Sequence, residues 1–494
     1  MKKMKVLLFW PCIDRSFALG LPLIQSIIKQ SGHQVKYITT EGFHPDPFNK
    51  RGNLFIKYDY SLTDSSYKAF QKQLEEGGKY FLKEVDDFNP DIILMSAFST
   101  NFLLGLEYYR KIKKKVFLLV GGVHPTVAPD DAISYPEVDA ICVGEGEPMV
   151  GEFINKFASG SLESRDFSGI SNIWYKNSSG EVIKNDLGAI ADMDSLILPD
   201  FTGFSLSVKY VAGIPHRAMQ TELSRGCPLS CTYCCNDGIK KAFFAGKRPK
   251  IRRMTPENAV NKIKILAKKY NVQLIRFFDE NLLISPLPWI TKLCELYKKE
   301  INLPFTLSAS VETLNETRIK LVKDSGCINI NFGPESGNWE YRKKFLKKKA
   351  SDKQYIDAAN LLRKYKLRGN VNFVVGMEGQ NKEILMDSID LLRKIKLSSA
   401  PRFFVPLPGS EMYNNLYSKG EYGGFKSAYD NYRSFADPVY IPEGLSRKYL
   451  LEYLRTMVLF GNLPKTLWPI IHICKKENIV TNKIIDVLDK LFAY

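Results

Sequence analysis

The sequence predicts an α/β chain in three parts: a doubly wound, mostly parallel sheet, a partial (β/α)6 barrel, and a mostly helical C-terminal region. Three observations predict it. Short apolar runs alternate with amphipathic stretches in two series, one on each side of residues 191–215. Several runs of the first series end in small or polar residues, where a doubly wound sheet binds its ligand. The first run of the second series leads straight into three closely spaced cysteines, Cys227, Cys231 and Cys234.

In the first series, Lys5–Phe9 reads as a buried strand and Leu19–Gln30 as a helix stopped by Ser31-Gly32. Val35–Thr39 reads as a second strand, and a polar insertion and a helix over Tyr67–Val85 follow. Asp91–Met95, Val116–Val120 and Ala140–Val143 complete the series. They end in Ser96-Ala-Phe-Ser99-Thr100, Gly121-Gly122-Val123-His124-Pro125-Thr126 and Gly144-Glu145-Gly146-Glu147, so a binding crevice is expected there.

Residues 191–215 read as a linker after a first domain spanning 1–190. The second series, over 216–410, has strand candidates Ala218–Leu223, Leu274–Phe278, Phe305–Ser308, Ile328–Phe332, Val371–Val375 and Arg402–Val405, enough for a partial barrel. Thr255, Pro256 and Glu257 mark a helix start, with Ala259, Ile263 and Leu266 as its buried face. Residues 411–494 contain no clear parallel strand. Leu445–Phe460 forms an apolar helix there, read as packed on the barrel or, with Trp468 and nearby lysines, as docked on a membrane.

At 494 residues the chain exceeds one ordinary core, and 45% hydrophobic with 25% charged residues places it among globular proteins. It has no apolar run long enough for a spanning helix. The basic-then-apolar N-terminus is too short and too soon followed by Asp14 and Arg15 for a signal peptide. Nine cysteines without a secretory signal point to a reducing, cytoplasmic setting. The net charge of +17 is spread in pairs and triplets and reads as a lysine-rich surface, with an anionic partner or membrane contact as the sharper alternatives. Nucleic-acid binding is not expected, and a monomer is.

Three thiolates within eight residues can wrap one metal centre. A cubane iron–sulfur cluster takes four cysteines, so three leave one iron open for a small ligand. Structural zinc would need a second cysteine pair, and Cys235, adjacent to Cys234, is a poor fourth ligand. Cys12, Cys142, Cys294, Cys327 and Cys474 are scattered and read as core residues.

The loop Cys227-Pro-Leu-Ser-Cys231-Thr-Tyr233-Cys234 resembles the signature of the radical S-adenosylmethionine (SAM) superfamily, with Tyr233 as its aromatic residue. The resemblance implies a 4Fe-4S cluster whose open iron chelates SAM and cleaves it to a 5′-deoxyadenosyl radical. Later turns resemble the same family. Phe278-Asp279-Glu280-Asn281 matches the acidic turn that meets the SAM amino group, with Glu280 favoured over Asp279. Gly333-Pro-Glu335-Ser336-Gly337 matches the segment near the ribose, Gly376-Met-Glu378-Gly379 the turn beside the adenine, and Pro406-Leu-Pro408-Gly409-Ser410 the turn ending the barrel. One departure is Ser310, standing where relatives often carry arginine.

Residues 3 to about 150 resemble the Rossmann-like cobalamin-binding domain that precedes many of these barrels. That resemblance implies cobalamin contacts from Ser96, Ser99, Thr100, Gly121, Gly122, His124, Pro125, Gly144, Glu145 and Gly146. The aspartate-x-histidine-x-x-glycine motif of other cobalamin proteins is absent at His33, His44, His124, His216 and His472. Cobalamin is therefore expected base-off, its tail tucked against the sheet and no protein histidine on cobalt.

The activity this implies is methyl transfer to an unactivated carbon, with methylcobalamin as methyl source. Radical cyclisation or rearrangement without methyl transfer is the alternative, and a non-catalytic cobalamin or redox sensor a third reading. RNA methylthiotransfer would want three further cluster cysteines in the first domain, where only Cys12 and Cys142 lie. The expected partners are a small-molecule, lipid-like or peptide substrate and an external electron donor such as flavodoxin or ferredoxin.

Overall fold

The computed structural model describes residues 2–11, 18–40, 64–160, 166–211, 214–244, 251–427, 430, 437–476 and 478–492; Cys12 and His44 lie outside them. The first sheet contains β1 (Lys5–Trp10), β2 (Gln34–Thr39), β3 (Ile92–Ser96), β4 (Phe117–Gly121), β5 (Ala140–Cys142), β6 (Ile173–Lys176) and β7 (Val182–Lys184). Its order is β2-β1-β3-β4-β5-β6-β7. Strands β1 to β5 are parallel, and β6 and β7 extend the edge antiparallel. The chain reverses its direction of winding between β1 and β3, and such a switch point opens a crevice at the carboxyl ends of the strands.

The strands read as unbroken apolar runs because both faces are covered. Leu7, Phe9, Ile93, Met95, Leu118 and Val120 pack on one side, and Val6, Leu8, Ile92, Leu94, Phe117 and Leu119 on the other. Each such side chain contributes roughly 1.5–3 kcal/mol of burial. The β6–β7 hairpin was not visible in the sequence. Its strands are too short to show alternation, and the Asn177 side chain makes the turn by accepting from the Ser179 and Glu181 amides.

The second sheet contains β8 (Ser207–Val211), β9 (Ile214–Thr221), β12 (Leu274–Phe277), β13 (Phe305–Ser308), β14 (Cys327–Glu335), β15 (Arg368–Val375), β16 (Ser398–Ser399) and β17 (Arg402–Phe403). From β9 onward all pairings are parallel, and β8 runs antiparallel along β9. Between β9 and β12 two short strands, β10 (Ser224–Arg225) and β11 (Arg252–Arg253), pair with each other. Thr255 starts its helix as expected, but its hydroxyl bonds Asp194 at 3.1 Å instead of capping.

Residues 193–204 pack as a strap. Met193, Leu196, Phe201 and Phe204 are buried. Gln25 donates to the Asp200 and Thr202 carbonyls at 3.0 and 2.8 Å, so the helix Leu21–Gln30 is tied to the strap. Asp200 joins Lys29 at 2.6 Å to the Tyr270 hydroxyl at 2.8 Å.

The helix Arg447–Asn462 lies on the helix Lys382–Ile395. Its Leu450, Tyr453, Leu454, Met457, Val458 and Phe460 are all buried, and Arg393 donates to the Phe460 and Leu463 carbonyls at 2.7 and 2.8 Å. The apolar face read as barrel-packed or membrane-docked therefore lies against the barrel. Among the described residues no helix is long and apolar enough to cross a membrane.

Candidate active site between the two sheets

The carboxyl ends of both sheets line one cavity of about 490 Å³. From the first sheet come Ser96, Gly121, Gly122, Gly144, Glu145, Gly146 and Glu147, with Leu94 and Leu119 behind them. From the second come Gln220, Glu222, Arg225, Gly226, Cys227, Phe278 and Glu280. The helix Asn236–Phe244, which follows the cysteines, closes a side with Ile239, Lys240 and Phe243.

Backbone shape builds the first rim. Gly122 has φ +101°, and a Cβ there would stand 2.7 Å from the Ala97 carbonyl oxygen. Gly144 has φ +103°, and a Cβ there would stand 2.8 Å from the Phe243 ring. Both conformations belong to glycine. Below these loops Ile24, Leu94, Leu119, Met149 and Val150 form an apolar recess continuous with the cavity.

The first rim does not gather every residue expected on it. Ser99 and His124 face a separate cavity of about 270 Å³ lined also by Asp131, Tyr135 and Tyr413. His124 Nδ1 stands 3.0 Å from the Ser99 hydroxyl, and Nε2 stands 3.2 Å from Asp131. The one-turn helix Val123–Val127 causes the division: Val123 and Thr126 face the large cavity while His124 faces away. Pro125 is buried in the same turn, and Thr100 is half-buried in the turn after β3. Neither Thr100 nor Pro125 lines either cavity.

Glu145 reaches the large cavity, but its carboxylate is engaged. It accepts from Arg225 at 2.9 Å, from Arg252 at 2.6 and 3.0 Å, and from the Ala191 amide at 2.8 Å. Arg225 also donates to Glu147 at 2.7 Å and Glu222 at 2.6 Å. Burial would raise the Glu145 carboxyl, but the two guanidiniums outweigh it and hold it below the usual range. This buried network rivets the β5 loop to β10, which immediately precedes Cys227, and to its partner strand β11. Sequence reading missed it because the partners that Glu145 joins lie 80 and 107 residues from it.

Side chains build the second rim. Cys227 lines the cavity with Glu280, and burial pushes its thiol up to about 11. Cys231 and Cys234 follow in a turn closed by the Cys234 amide on the Cys231 carbonyl at 3.1 Å. Among the described residues no three ligands stand close enough for a single metal ion. Thiolates that each take a separate iron of a cubane stand farther apart.

The acidic turn after β12 divides its two carboxyls. Asp279 is 2% exposed and turned inward, accepting from the Leu223 amide at 3.1 Å and from the Ser224 hydroxyl. Burial raises it to about 7 against those hydrogen bonds. Glu280 faces the cavity and is also raised, chiefly by burial.

Glu335 holds φ +65°, a left-handed conformation costly for a non-glycine residue, and its carboxylate stands 3.5 Å from Lys348. Lys348 was not anticipated. Its ammonium donates to the Gly333 carbonyl at 2.6 Å and stands 3.4 Å from the Tyr233 hydroxyl, joining the cysteine loop to the β14 turn. Ser336 is fully buried, its carbonyl accepting from Arg342 at 2.9 Å. Ser310 accepts from the Asn281 amide group at 2.9 Å. Gly376 donates its amide to Gln380 at 2.7 Å, while Glu378 turns out to Lys419 at 2.7 Å.

A family model for the radical SAM superfamily matches residues 221–392, and one for the B12 binding domain matches residues 16–154. The chain is a radical SAM protein with a B12-binding domain. An uncharacterized methyltransferase of Pyrococcus horikoshii is 26% identical over 403 residues, covering 77% of this chain and 82% of the relative. Cytidylyl-2-hydroxyethylphosphonate methyltransferase of Streptomyces wedmorensis is 22% identical over 449 residues, covering 82% and 78%. Among solved structures, the radical SAM methyltransferase TsrM of Kitasatospora setae, with cobalamin and an iron–sulfur cluster bound, superposes with TM-score 0.59 at 15% identity, covering 85% of this chain and 75% of that one. The large cavity thus lies between the B12-binding domain and the radical SAM domain.

Proposed function

We propose that this radical SAM protein is a cobalamin-dependent methyltransferase acting on an unactivated carbon of a small molecule. The observation that carries the reading is the shared cavity: the glycine rim of the B12-binding domain faces Cys227 and Glu280 of the radical SAM domain across it. The methyltransferase relatives support the choice of reaction.

When bound, the cluster and SAM supply a carbon-centred radical and cobalamin a transferable methyl group. Cys227, Cys231 and Cys234 would hold the cluster, as thiolates. Glu280, and not the inward-turned Asp279, meets the SAM amino group. Glu335 and Gly376 shape the walls for its nucleoside. Lys348 holds Tyr233 and Glu335 in register.

Ser96, Gly121, Gly122, Gly144 and Gly146 would let cobalamin approach the backbone, and the recess under Leu94 and Leu119 would take the apolar benzimidazole end of its tail. His124, bonded to Ser99 on the far side of its helix, is not placed to ligate cobalt. An external one-electron donor, such as a flavodoxin or ferredoxin, completes the requirements.

Anaerobic incubation of the reconstituted protein with SAM, cobalamin, a reductant and candidate substrates tests this. S-adenosylhomocysteine and 5′-deoxyadenosine together, with a product heavier by one methylene, are expected. Two relatives are anaerobic magnesium-protoporphyrin IX monomethyl ester cyclases, at 21% and 26% identity. 5′-Deoxyadenosine without S-adenosylhomocysteine, and a product with no added methylene, would move the assignment to a cyclisation of that kind.

A further inference from the structure

Barrels of parallel strands usually fill their interior with branched apolar side chains. Here the interior is polar. On β12, Ile275 and Phe277 point outward into the core, so Arg276 between them points inward. The strand register sets Arg276 beside Gln220 of β9 and Thr306 of β13, and Thr306 beside Asn329 of β14. None of these neighbours carries a negative charge.

The guanidinium of Arg276 lies over the face of Phe278, 4.8 Å from the ring centroid. Among the described residues it has no hydrogen bond and no ion pair. Of the carboxylates nearby in sequence, Asp279 is committed to Leu223 and Ser224 and Glu222 to Arg225, and Glu280 faces the cavity without pairing with Arg276. Burial alone acts on its charge, lowering its pKa. A half-buried cation with five donors and no acceptor is costly to keep, and an oxyanion is the partner its planar fork fits best. Phe278, stacked on it, is 43% exposed and lines the large cavity together with Gln220 and Glu280. Arg276 therefore sits next to the wall of the cavity in which the reaction is placed.

We propose that Arg276 is the anion subsite of the substrate pocket, so that the substrate carries a carboxylate, phosphate or phosphonate that the guanidinium takes in paired hydrogen bonds. This rests on the proposed function for the reaction and narrows its substrate to an anionic small molecule, away from a neutral lipid. The methionine carboxylate of SAM offers the same chemistry, and the test separates the two sources.

Thermal unfolding of the cluster-loaded protein is measured with saturating SAM, in inorganic phosphate and in chloride of equal ionic strength. Phosphate is expected to raise the wild-type Tm by about 2 °C or more. Arg276→Met is expected to lose that gain, to keep SAM affinity within about twofold of wild type, and to melt at or above wild type without phosphate. That last result is the opposite of what a structural arginine gives. The proposal is overturned if phosphate acts no better than chloride on wild type, if Arg276→Met keeps the gain, or if the variant melts several degrees lower. It is also overturned if Arg276→Met loses about tenfold or more in SAM affinity, which assigns the guanidinium to the methionine carboxylate. Failure of the proposed function reads separately, as wild-type protein that makes no 5′-deoxyadenosine with dithionite.

Discussion

The two rims of the cavity are built in opposite ways. The B12-binding rim is made of backbone: glycines at φ +101° and +103°, small residues at strand ends, and an apolar recess beneath. The radical SAM rim is made of side chains: the Cys227 thiol and a carboxylate facing the cavity, two further thiols in the turn that follows, and a half-buried ammonium behind the loop. A rim that holds a large ligand needs close approach over a wide area, which absent side chains provide. A rim that holds a reactive centre needs donors of defined charge at defined points. Damage to the second should therefore cost chemistry, and damage to the first should cost ligand and shape.

The largest effect expected is on the second rim. Cys227→Ser should bring 5′-deoxyadenosine production to background and lower iron content, while cob(II)alamin still binds by its visible spectrum. Retained activity would break the comparison at its strongest point. Next comes the seam. Arg225→Met leaves Glu145, Glu147 and Glu222 in partly buried positions with Arg252 alone, and should cost about 3–5 kcal/mol in chemical denaturation.

On the first rim, Gly122→Ala forces a Cβ to 2.7 Å from a carbonyl oxygen at positive φ. It should cost about 1–3 kcal/mol and weaken cobalamin retention on a desalting column, with the cluster spectrum unchanged. With Glu280 meeting the SAM amino group as proposed, Glu280→Gln would remove one charge-assisted hydrogen bond, worth about 1.5–3 kcal/mol. Equilibrium dialysis should show weaker SAM binding by about tenfold or more, with no loss of cobalamin.

The smallest effect is on pH dependence. The buried Asp279 carboxyl is raised from 3.8 to about 7, so the folded state holds its proton at pH values where the unfolded chain has lost it. With more protons bound when folded, stability falls as pH rises from about 4 to about 7 and is flat in this group beyond. Asp279→Asn should flatten that slope in urea midpoints, and an unchanged slope would show that the carboxyl is not buried as described.

The same contrast explains what could be read from sequence. The thiols and acidic turn of the second rim are local patterns, and the structure puts Cys227 and Glu280 on one wall. Strands such as Phe305–Ser308 have the expected bounds because their runs are bracketed by turn residues. On the first rim, Ser96, Gly121, Gly122, Gly144 and Gly146 reach the cavity, but Ser99 and His124 do not. A single helical turn decides which of two consecutive side chains, Val123 or His124, faces inward, and a motif does not carry that phase. Lys348, Arg225 and Arg252 stayed hidden for another reason: the contacts that tie them to the site, to Tyr233, Glu145 and Glu147, reach far along the chain. Arg276 gave no signal at all, because one arginine in a strand of four residues looks like an edge residue until the register shows that it points inward.

The ion network at the seam has a consequence for recombination. Its acids Glu145 and Glu147 come from one domain and its bases Arg225 and Arg252 from the other, with Glu222 beside them. A chimera that takes its first domain from a relative inherits one half of this lock without the other. If the donor supplies no carboxylate at either position, two arginines are left beside the cysteine loop with Glu222 as the one remaining acid of the network. Which domains can be exchanged is thus written in four residues at the seam, whatever ligand each domain carries.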